Sequence, residues 1–512
     1  MYKPVIGLEI HAELKTKTKM FCDSLNDPDE KHPNINVCPI CMGHPGTLPV
    51  INYEAVKKVI MAGLALNCKI AEDTFFERKN YFYPDLPKGY QITQYQKPLC
   101  ENGHLDLSSS TNAQGSKRIR ITRIHLEEDA GRLYHLPGKD YSLVDYNRAG
   151  MPLMELVTEP DLETGLEVKK FAEELQLILR YLGVSDADME KGQLRIEVNI
   201  SLRPELPITN YQLPIKLGTK VEIKNLNSIK AASDSVDHEI KRQTELLEAG
   251  EKVVQETRGW DDSKKATVSQ RSKEEAHDYR YFPEPDLPPL KFTLAQIEAI
   301  REGLPELPSQ RRVRFALYGL TEAQIEIFSA ARHLGDYYEH VATELDSSAK
   351  DFHIKKGLKG EFSKEQHLER RLHELSANYI ITEFPALMSA SGTEIDDLEG
   401  FKISSEAFAE LMVLIFHREL SSTGAKAVLK EMAETGMHPE QIMRERNLGQ
   451  MSNPEELESA VDKVIAKNSQ AVEDYKKGKE ASLKFLMGMV MRESGGKANP
   501  QVVEEILKKK LQ

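Results

Sequence analysis

The sequence predicts an α+β protein, in which a mixed β-sheet region is followed by a region that is almost wholly helical. Three segments, 5–13, 194–200 and 221–224, alternate apolar and polar residues as half-buried strands do. Beyond a proline-rich segment that ends near residue 308, apolar residues recur at helical spacing. At 512 residues the chain is too long for one hydrophobic core, so we expect two to four domains.

Composition argues against several broad classes. The formal net charge of −13 disfavours a general binder of polyanions. No run of eighteen apolar residues is present, and the first residues enter a strand pattern without a signal segment. Five cysteines, an odd number, do not indicate a disulfide framework. We therefore expect a cytoplasmic protein with no membrane association.

The first strand, VIGLEIHAE, places charged side chains on one face. Because successive side chains alternate, Glu9, His11 and Glu13 project from the side opposite Leu8 and Ile10. Carboxylates this close repel one another unless a cation lies among them, and a hard divalent cation with a nucleotide phosphate meets that need. A solvated strand face is the alternative for this motif alone.

Two later strands repeat this pattern, with apolar side chains on one face and polar side chains on the other. Their polar sides carry mixed charges: Arg195, Glu197, Asn199, Lys220, Glu222 and Lys224. A solvent-facing sheet surface seldom has so many charged side chains without small neutral residues between them. A sheet whose polar side forms the floor of a cleft explains the pattern better.

Helices are predicted by apolar periodicity together with start and stop residues. In the first half they cover 52–67, 166–182 with Gly183 after the last turn, and 229–248 with Ser228 as N-cap. In the second half they cover 310–345, 364–385, 405–433, 454–467 and 479–493, and a last helix opens at Asn499-Pro500. The lysine-rich end of the chain is the candidate surface for a nucleic-acid backbone outside the cleft.

The segment Ile119–Glu128 has a strand pattern that changes phase near Arg123. The change predicts a β-bulge, or a strand end at the acidic residues Glu127, Glu128 and Asp129. Acidic clusters at strand ends are common places for metal ligands, and a solvated turn is the alternative.

Basic residues accompany aromatics, prolines and glycines in ERKNYFYPDLPKGYQITQY. Such a loop can hold a nucleotide or a sugar phosphate, and a packed aromatic cluster with basic edges is the alternative. From their charge and position, four residues are candidate binders of phosphate or carboxylate: Lys79, Lys88, Arg148 and Arg195.

The segment from 21 to 50 is rich in Pro, Asn, Asp and Gly, so it is predicted to be irregular and to need a cross-link that stabilises it. Three cysteines could supply it as zinc ligands: Cys22, Cys38 and Cys41. The last two have zinc-knuckle spacing. A four-ligand site would need His32 or His44, because position 24 is Ser. A metal-free lobe with ordinary thiols is the alternative.

Six long motifs occur in order along the chain: VIGLEIHAELKTKTKMF, KNYFYPDLPKGYQITQY, HLEEDAGR, LVDYNRAGMPLMELVTEPD, KNLNS and DYRYFPEPDLPPL. With the helical end NPQVVEEILKKKL they closely resemble the GatB/GatE family, which includes the B subunits of tRNA-dependent amidotransferases. The resemblance spans nearly the whole chain. Three places differ: residues 340–400, the lengthened turn between Arg203 and Gly218, and Ser24, where the family often has a cysteine.

The resemblance implies a glutamine-synthetase-like mixed-sheet cradle domain, an all-α linker domain and an all-α tail domain that contacts tRNA. We place them at 1–294, 295–405 and 406–512. It also implies the divalent-metal ligands, which by their match to the family motifs are Glu9, His11, Glu128 and Glu197.

The implied reaction is ATP-dependent activation of the side-chain carboxylate of Glu-tRNA(Gln) or Asp-tRNA(Asn), followed by amidation. Ammonia would come from the glutaminase subunit GatA, with GatC as the small third subunit. A carboxylate is a poor acylating agent, so phosphorylation must precede amidation. Phosphoryl transfer requires Mg²⁺, or Mn²⁺ in its place, and further cations that stabilise the developing charge.

Two other functions stay open at this point. One is a non-catalytic tRNA-binding adaptor with a structural acidic cluster, and the other is a metal hydrolase built on Glu9 and His11. The sequence shows no amidase Ser-Ser-Lys signature and no cysteine–histidine glutaminase pattern, so an amidotransferase would take its ammonia from another subunit. It also shows no P-loop or dinucleotide-binding glycine motif, so a nucleotide would be held without those loops.

Overall fold

The structure is a computed structural model that describes residues 2–109, 112–205, 217–272, 278–356, 366–391, 400–449, 454–494 and 498–511. The chain divides into two compact units, Met1–Pro308 and Ser309–Gln512. All the named strands of the described residues lie in the first unit, and the named elements in the described parts of the second unit are all helices. The predicted α+β class is confirmed.

The first unit contains sixteen strands and four helices within the described residues. The strands are β1 (Tyr2–Glu13), β2 (Lys69–Ile70), β3 (Asp73–Thr74), β4 (Glu77–Asn80), β5 (Tyr90–Thr93), β6 (Cys100–Ser109), β7 (Asn112–Glu128), β8 (Arg132–His135), β9 (Ser142–Asp145), β10 (Pro152–Thr158), β11 (Leu194–Pro204), β12 (Val221–Leu226), β13 (Glu256–Asp261), β14 (Ala266–Ser272), β15 (Phe282–Pro283) and β16 (Leu290–Lys291). The helices are α1 (Tyr53–Ala65), α2 (Gly165–Tyr181), α3 (Ile229–Glu248) and α4 (Leu294–Glu302).

The second unit contains eleven helices within its described residues. They are α5 (Pro308–Leu317), α6 (Glu322–Ala330), α7 (Arg332–Lys356), α8 (Gln366–Ser391), α9 (Ser405–Phe416), α10 (Ser422–Thr435), α11 (Pro439–Glu445), α12 (Pro454–Lys467), α13 (Ser469–Lys476), α14 (Glu480–Glu493) and α15 (Pro500–Leu511). No helix in the described ranges is long and apolar enough to cross a membrane.

One large sheet organises the first unit. Ten strands follow the order β14-β13-β12-β11-β1-β10-β7-β5-β4-β15, and β6 pairs with both β7 and β2. Its neighbours pair antiparallel except for β12 and β13, which are parallel, so the sheet is mixed. Two small two-stranded sheets, β16-β3 and β8-β9, complete the strand pairing of the described residues. The first strand of the sequence therefore lies near the middle of the sheet.

Helices cover the apolar face of this sheet. One core cluster contains Leu8 and Ile10 of β1 together with Val56 of α1, Phe171 of α2 and Val236 of α3. Burial of this face stabilises the unit, because each large apolar side chain removed from water contributes about 1.5–3 kcal/mol. The opposite face, which carries Glu9 and His11, is left for polar side chains, as the alternation predicted.

Capping residues and a glycine determine where the helices begin and end, and one strand contains a β-bulge. The Asn52 side chain caps α1, and the Ser228 hydroxyl caps α3 by accepting from the backbone of Ala231 at 3.0 Å. Gly183 follows α2 with a φ of +61°, the left-handed conformation that glycine adopts at low cost. The pairing of β7 with β10 shifts opposite Arg123, so the predicted bulge is confirmed.

Two separate hydrophobic clusters stabilise the second unit. One extends along the chain from Phe315 to Ile442, and the other from Leu457 to Leu511. The first takes residues from both sides of position 405, since the rings of Phe384 and Phe408 lie 5.1 Å apart. The linker at 295–405 and the tail at 406–512 stay predictions. Most of the lengthened turn after Arg203, and parts of 340–400, lie outside the described residues.

Candidate active site on the polar face of the sheet

Strand pairing collects the charged side chains of separate strands on one surface. In an antiparallel pair, residues directly opposite each other point to the same face. Glu9 pairs with Glu197, and His11 pairs with Arg195 on one side and with Glu155 on the other. The mixed-charge faces predicted for 5–13 and 194–200 therefore form one continuous surface across β11, β1 and β10.

Glu155 lies at the centre of a cluster of carboxylates and imidazoles. Its Oε2 atom is 3.5 Å from Nε2 of His11 and 3.5 Å from Nε2 of His125. The same His125 nitrogen lies 3.3 Å from Oε1 of Glu127. Ligand atoms of Glu9, His11 and Glu155 lie within 4.8 Å of one another, as do those of His125, Glu127 and Glu155. The donor atoms fit a divalent metal ion that accepts oxygen and nitrogen ligands.

Charge balance within this cluster changes the pKa of each member. Burial and the Glu155 carboxylate raise the pKa of Glu9. Burial opposes ionisation of Glu155, yet the imidazoles of His125 and His11 hold its pKa below the usual value. A hydrogen bond to Glu155 likewise raises the pKa of His11 against the effect of burial. The ionised carboxylates here therefore depend on cations beside them, and a bound metal ion would serve the same purpose.

The structure places Glu128 apart from the other predicted metal ligands. Side chains alternate along β7, so Glu128 points away from the face that carries Glu127 and His125. Its carboxylate forms an ion pair with Lys88 and accepts a hydrogen bond from the backbone of Ile92 at 2.9 Å. Glu128 is 2% exposed, so this pair is buried. A direct role for Glu128 as a metal ligand stays a prediction that this geometry does not favour.

Two further residues complete the comparison with the predicted ligand set. Glu197 lies next to Glu9, and its Oε2 atom is 2.8 Å from Nζ of Lys224. Glu155 was missed in the sequence, although a signal was present: it is the one charged residue in the apolar run PLMELV. A charge in a buried strand requires a partner or a function.

Two of the predicted phosphate-binding cations are already paired with one acid. Asp129 accepts a hydrogen bond from Arg195 at 2.6 Å, and its carboxylate lies 3.4 Å from Nε of Arg148. Arg148 also donates to the carbonyl oxygens of Ala130 and Gly131. Burial and the Asp129 carboxylate raise the pKa of the neighbouring Glu13 to about 8. Arg148 and Arg195 therefore hold the loop at the end of β7. Among the described residues, the buried Nε of Arg195 has no hydrogen-bond partner.

Lys79 differs from the other three predicted cations. Lys88 is paired with Glu128, and both arginines are paired with Asp129. Within the described residues, Nζ of Lys79 forms no hydrogen bond or ion pair; it lies 5.2 Å from the ring centroid of Tyr279. Although burial opposes it, the Glu127 carboxylate holds the pKa of Lys79 above its usual value. Lys79 is a charged ammonium available to an anionic ligand.

The cysteine lobe brings its three thiols together. The Sγ atoms of Cys22, Cys38 and Cys41 lie within 4.8 Å of one another. A hydrogen bond from the Cys22 thiol, with Lys19 nearby, lowers the pKa of Cys41 to about 4. The Ser24 hydroxyl lies 4.0 Å from Sγ of Cys41. The three thiols and the Ser24 hydroxyl thus form a partial metal site, in which Cys41 is the thiol most readily ionised.

Neither histidine proposed as a fourth zinc ligand is held at the three thiols by a hydrogen bond. His32 is exposed and contacts Glu30, with 2.9 Å between Nδ1 and the carboxylate. His44 lines a cavity together with Cys22 and Cys41. No His44 nitrogen lies within 4.8 Å of all three thiols, and the Ser24 hydroxyl is a nearby oxygen donor.

A mixed sheet with a carboxylate–imidazole cluster on its polar face is the kind of catalytic domain that the motifs led us to expect. Residues 4–298 match the family model described as the GatB/GatE catalytic domain. Residues 363–511 match the model described as the GatB domain. The chain belongs to the GatB/GatE family.

Relatives resemble this chain along its whole length. The B subunit of the aspartyl/glutamyl-tRNA(Asn/Gln) amidotransferase of Carboxydothermus hydrogenoformans is 46% identical over 514 residues. The proteins of the same name from Dehalococcoides mccartyi and Thermoanaerobacter pseudethanolicus are 46% identical over 516 residues and 45% identical over 511 residues. Each alignment covers 100% of this chain and 99% of the relative.

The buried pair of Lys88 and Glu128 generates a stability prediction. Replacing Glu128→Gln leaves the Lys88 ammonium without a counter-charge, which should lower the free energy of unfolding of the first unit by about 3 kcal/mol. The double change Glu128→Gln with Lys88→Met should recover most of that loss. Scanning calorimetry measures both, and Glu101→Gln on the exposed side of β6 is the control that should change little. Unchanged stability with weaker Mn²⁺ binding would instead support Glu128 as a metal ligand.

Proposed function

We propose that this chain is the B subunit of a tRNA-dependent amidotransferase, a ligase that forms a carbon–nitrogen bond with glutamine as amide donor. It activates the side-chain carboxylate of Glu-tRNA(Gln), Asp-tRNA(Asn) or both by ATP-dependent phosphorylation and then amidates it with ammonia. The observation that carries this proposal is the largely buried cluster of three carboxylates and two imidazoles that includes Glu155. It lies beside the Lys79 ammonium, which has no ion-pair partner within the described residues.

The cluster supplies the ligands that a phosphoryl-transfer site needs. We propose that Glu9, His11 and Glu155 hold Mg²⁺, or Mn²⁺ in its place, with Glu197 as a further ligand. The bound ion would neutralise charge on the phosphates of ATP. The imidazole of His11 orients the Glu155 carboxylate through their 3.5 Å contact. Hard oxygen ligands with one or two imidazoles suit these ions better than a thiol-rich set does.

Cations of the chain itself would hold the anionic groups of the substrates. Lys79 is the strongest candidate, since its ammonium has no other partner among the described residues. The Arg195 side chain is 37% exposed although it binds Asp129, so part of its guanidinium is available to a ligand. We propose that Arg148 and Lys88 act indirectly: Arg148 fixes the loop after β7, and Lys88 fixes the end of that strand through Glu128.

The reaction needs a partner subunit that supplies ammonia, and it needs a tRNA that carries the amino acid. We propose a heterotrimer with a GatA-type glutaminase and a GatC-type small subunit, because the sequence shows no glutaminase signature and the relatives are each named as one subunit of an amidotransferase. The tRNA would be tRNA(Gln) or tRNA(Asn), bound in part by the helical tail. A protein that uses aminoacyl-tRNA works where translation occurs, so we place the complex in the cytoplasm.

Removing one charge from the cluster tests the proposal. Replacing Glu155→Gln keeps the shape of the side chain but removes the charge that pairs with His11, His125 and a bound metal ion. We expect tRNA-dependent ATP cleavage by the whole complex to fall about a hundredfold to a thousandfold. We also expect weaker Mn²⁺ binding, measured by electron paramagnetic resonance. Glu163→Gln is the matched control, because Glu163 pairs with Lys3 outside the cluster.

The same assay separates the competing functions. Unchanged ATP cleavage in Glu155→Gln would contradict the assignment of this cluster. Wild-type complex that cleaves no ATP with misacylated tRNA would favour a non-catalytic adaptor. Hydrolysis that needs neither ATP nor tRNA would favour a metal hydrolase.

The helical tail generates a prediction about tRNA use. A chain that ends at Gly449 keeps the first two core clusters and loses the third, which lies wholly between Leu457 and Leu511. We expect the apparent KM for tRNA to rise at least about tenfold while ATP binding by the sheet unit is unchanged. In the full chain, changing the exposed Lys476, Lys484 and Lys509 to Glu should have a similar effect, and the Arg versions should not. A KM for tRNA that stays the same in both variants would exclude the tail as a tRNA surface.

The cysteine lobe generates a metal prediction. We propose that Cys22, Cys38 and Cys41 bind Zn²⁺, because one turn presents Cys38 and Cys41 to the same ion and Cys22 lies beside them. Protein prepared without chelators should contain about one zinc per chain by elemental analysis. Cys41→Ser should lose it, and Cys68→Ser, which removes a buried thiol outside the lobe, should keep it. Zinc-free wild-type protein would instead support a lobe with ordinary thiols.

A further inference from the structure

Two stacked tyrosines lie beside the proposed phosphate-binding lysine. The rings of Tyr95 and Tyr281 are 4.4 Å apart with an interplanar angle of 11°. Tyr279 links this pair to Lys79, because its ring lies 6.1 Å from that of Tyr281 and 5.2 Å from the lysine Nζ. Tyr95 remains 52% exposed. The Tyr95 ring of this aromatic pair is therefore open to a ligand, and Tyr281 is partly buried.

The stacked rings are not needed to fasten the segment that contains Tyr281. Backbone contacts attach that segment to β4: Asn80 donates to the carbonyl of Tyr279 at 2.9 Å, and Phe282 pairs with Arg78 in the sheet. The backbone of Glu284 also donates to the carbonyl of Phe76 at 2.8 Å. The segment is held in place by its main chain, so the exposed aromatic area calls for a separate explanation.

Arg123 connects the aromatic pair to the carboxylate–imidazole cluster. Its guanidinium carbon lies 5.9 Å from the centroid of the Tyr95 ring, and Nη2 lies 3.4 Å from Oε1 of Glu155. Its Nε is buried and has no hydrogen-bond partner in the part of the chain that the structure describes. Across the polar face the order is thus an aromatic surface, then two cations, Arg123 and Lys79, and then the candidate metal ligands.

That order matches the parts of a nucleotide, in which a flat base is followed by phosphates that bind cations and a divalent metal ion. Aromatic side chains stack on any base, and each such contact typically strengthens binding roughly tenfold to hundredfold. We propose that Tyr95 and Tyr281 form a stacking subsite for an adenine ring, with Arg123 at the edge of the base. This inference rests on the proposed function, because ATP and the tRNA substrate of that reaction both carry adenine.

The adenine could belong to ATP or to the 3′-terminal adenosine of the tRNA, and two probes distinguish these sources. The first is radiolabelled ATP with Mg²⁺, and the second is the trinucleotide CCA. Binding of each to the full chain is measured by equilibrium dialysis. The variants are Tyr95→Ala and Tyr281→Ala, with Tyr95→Phe and Tyr281→Phe retaining the ring. Tyr141→Ala is the matched control, because Tyr141 is 53% exposed on the loop between β8 and β9.

The alanine variants should weaken binding of one probe about tenfold or more, while the phenylalanine variants and Tyr141→Ala stay within about twofold of wild type. Loss of ATP binding alone assigns the subsite to ATP, and loss of CCA binding alone assigns it to tRNA. Alanine variants that bind both probes normally, with unchanged KM values for ATP and tRNA in the complex, overturn the inference. The backbone anchors of the segment predict unchanged melting temperatures, so unfolding is recognised separately.

Failure of this inference is distinct from failure of the proposed function. A wild-type chain that binds ATP through the tyrosines, yet cleaves none with misacylated tRNA, keeps the subsite and loses the proposed function. A complex that amidates tRNA at the normal rate and KM with both alanines keeps the proposed function and loses the subsite.

Discussion

The polar face of the sheet depends on one constraint, which is that the buried carboxylate of Glu155 needs positive charge around it. The side chain is only 7% exposed, and an ionised carboxylate in such a place is strongly destabilising without partners. His11 of β1, His125 and Arg123 of β7 supply them, so three adjacent strands are joined through one acid. A divalent ion would satisfy the same requirement. The charge balance that stabilises the sheet is thus also what makes its surface suited to metal and phosphate.

Alternation and end signals in the sequence were enough to predict the central strands, the first three helices and the bulge. The same alternation shows that Glu127 and Glu128 lie on opposite faces of β7, provided that it is counted from the end of the strand beyond the bulge. Ile124 and Leu126 face the core, so His125 and Glu127 must face the polar side and Glu128 must not. The family motif alone does not choose between two adjacent glutamates. Glu155 was missed for another reason: β10 is buried on both faces and shows no alternation.

Pairing among charged residues could not be predicted, because it depends on which strands become neighbours. Lys79, Lys88, Arg148 and Arg195 are equivalent as sequence candidates, yet in the structure Lys88 and both arginines are paired with Glu128 or Asp129. Those acids lie 40, 19 and 66 residues away from Lys88, Arg148 and Arg195 in the chain. The aromatic pair of Tyr95 and Tyr281 has a separation that is larger still. Only the fold shows that Lys79, the aromatic pair and the carboxylate–imidazole cluster share one surface.

The most direct test of the account follows the oxygen atoms of the substrate. If the site activates a carboxylate by phosphorylation, one carboxylate oxygen attacks the γ-phosphorus of ATP and later leaves with phosphate when ammonia forms the amide. Misacylated tRNA with oxygen-18 in the side-chain carboxylate, given to the whole complex with ATP, Mg²⁺ and glutamine, should therefore yield inorganic phosphate with one labelled oxygen per turnover. Mass spectrometry of the phosphate measures this. Unlabelled phosphate, released while ATP is cleaved and the amide forms, would contradict carboxylate activation at this site.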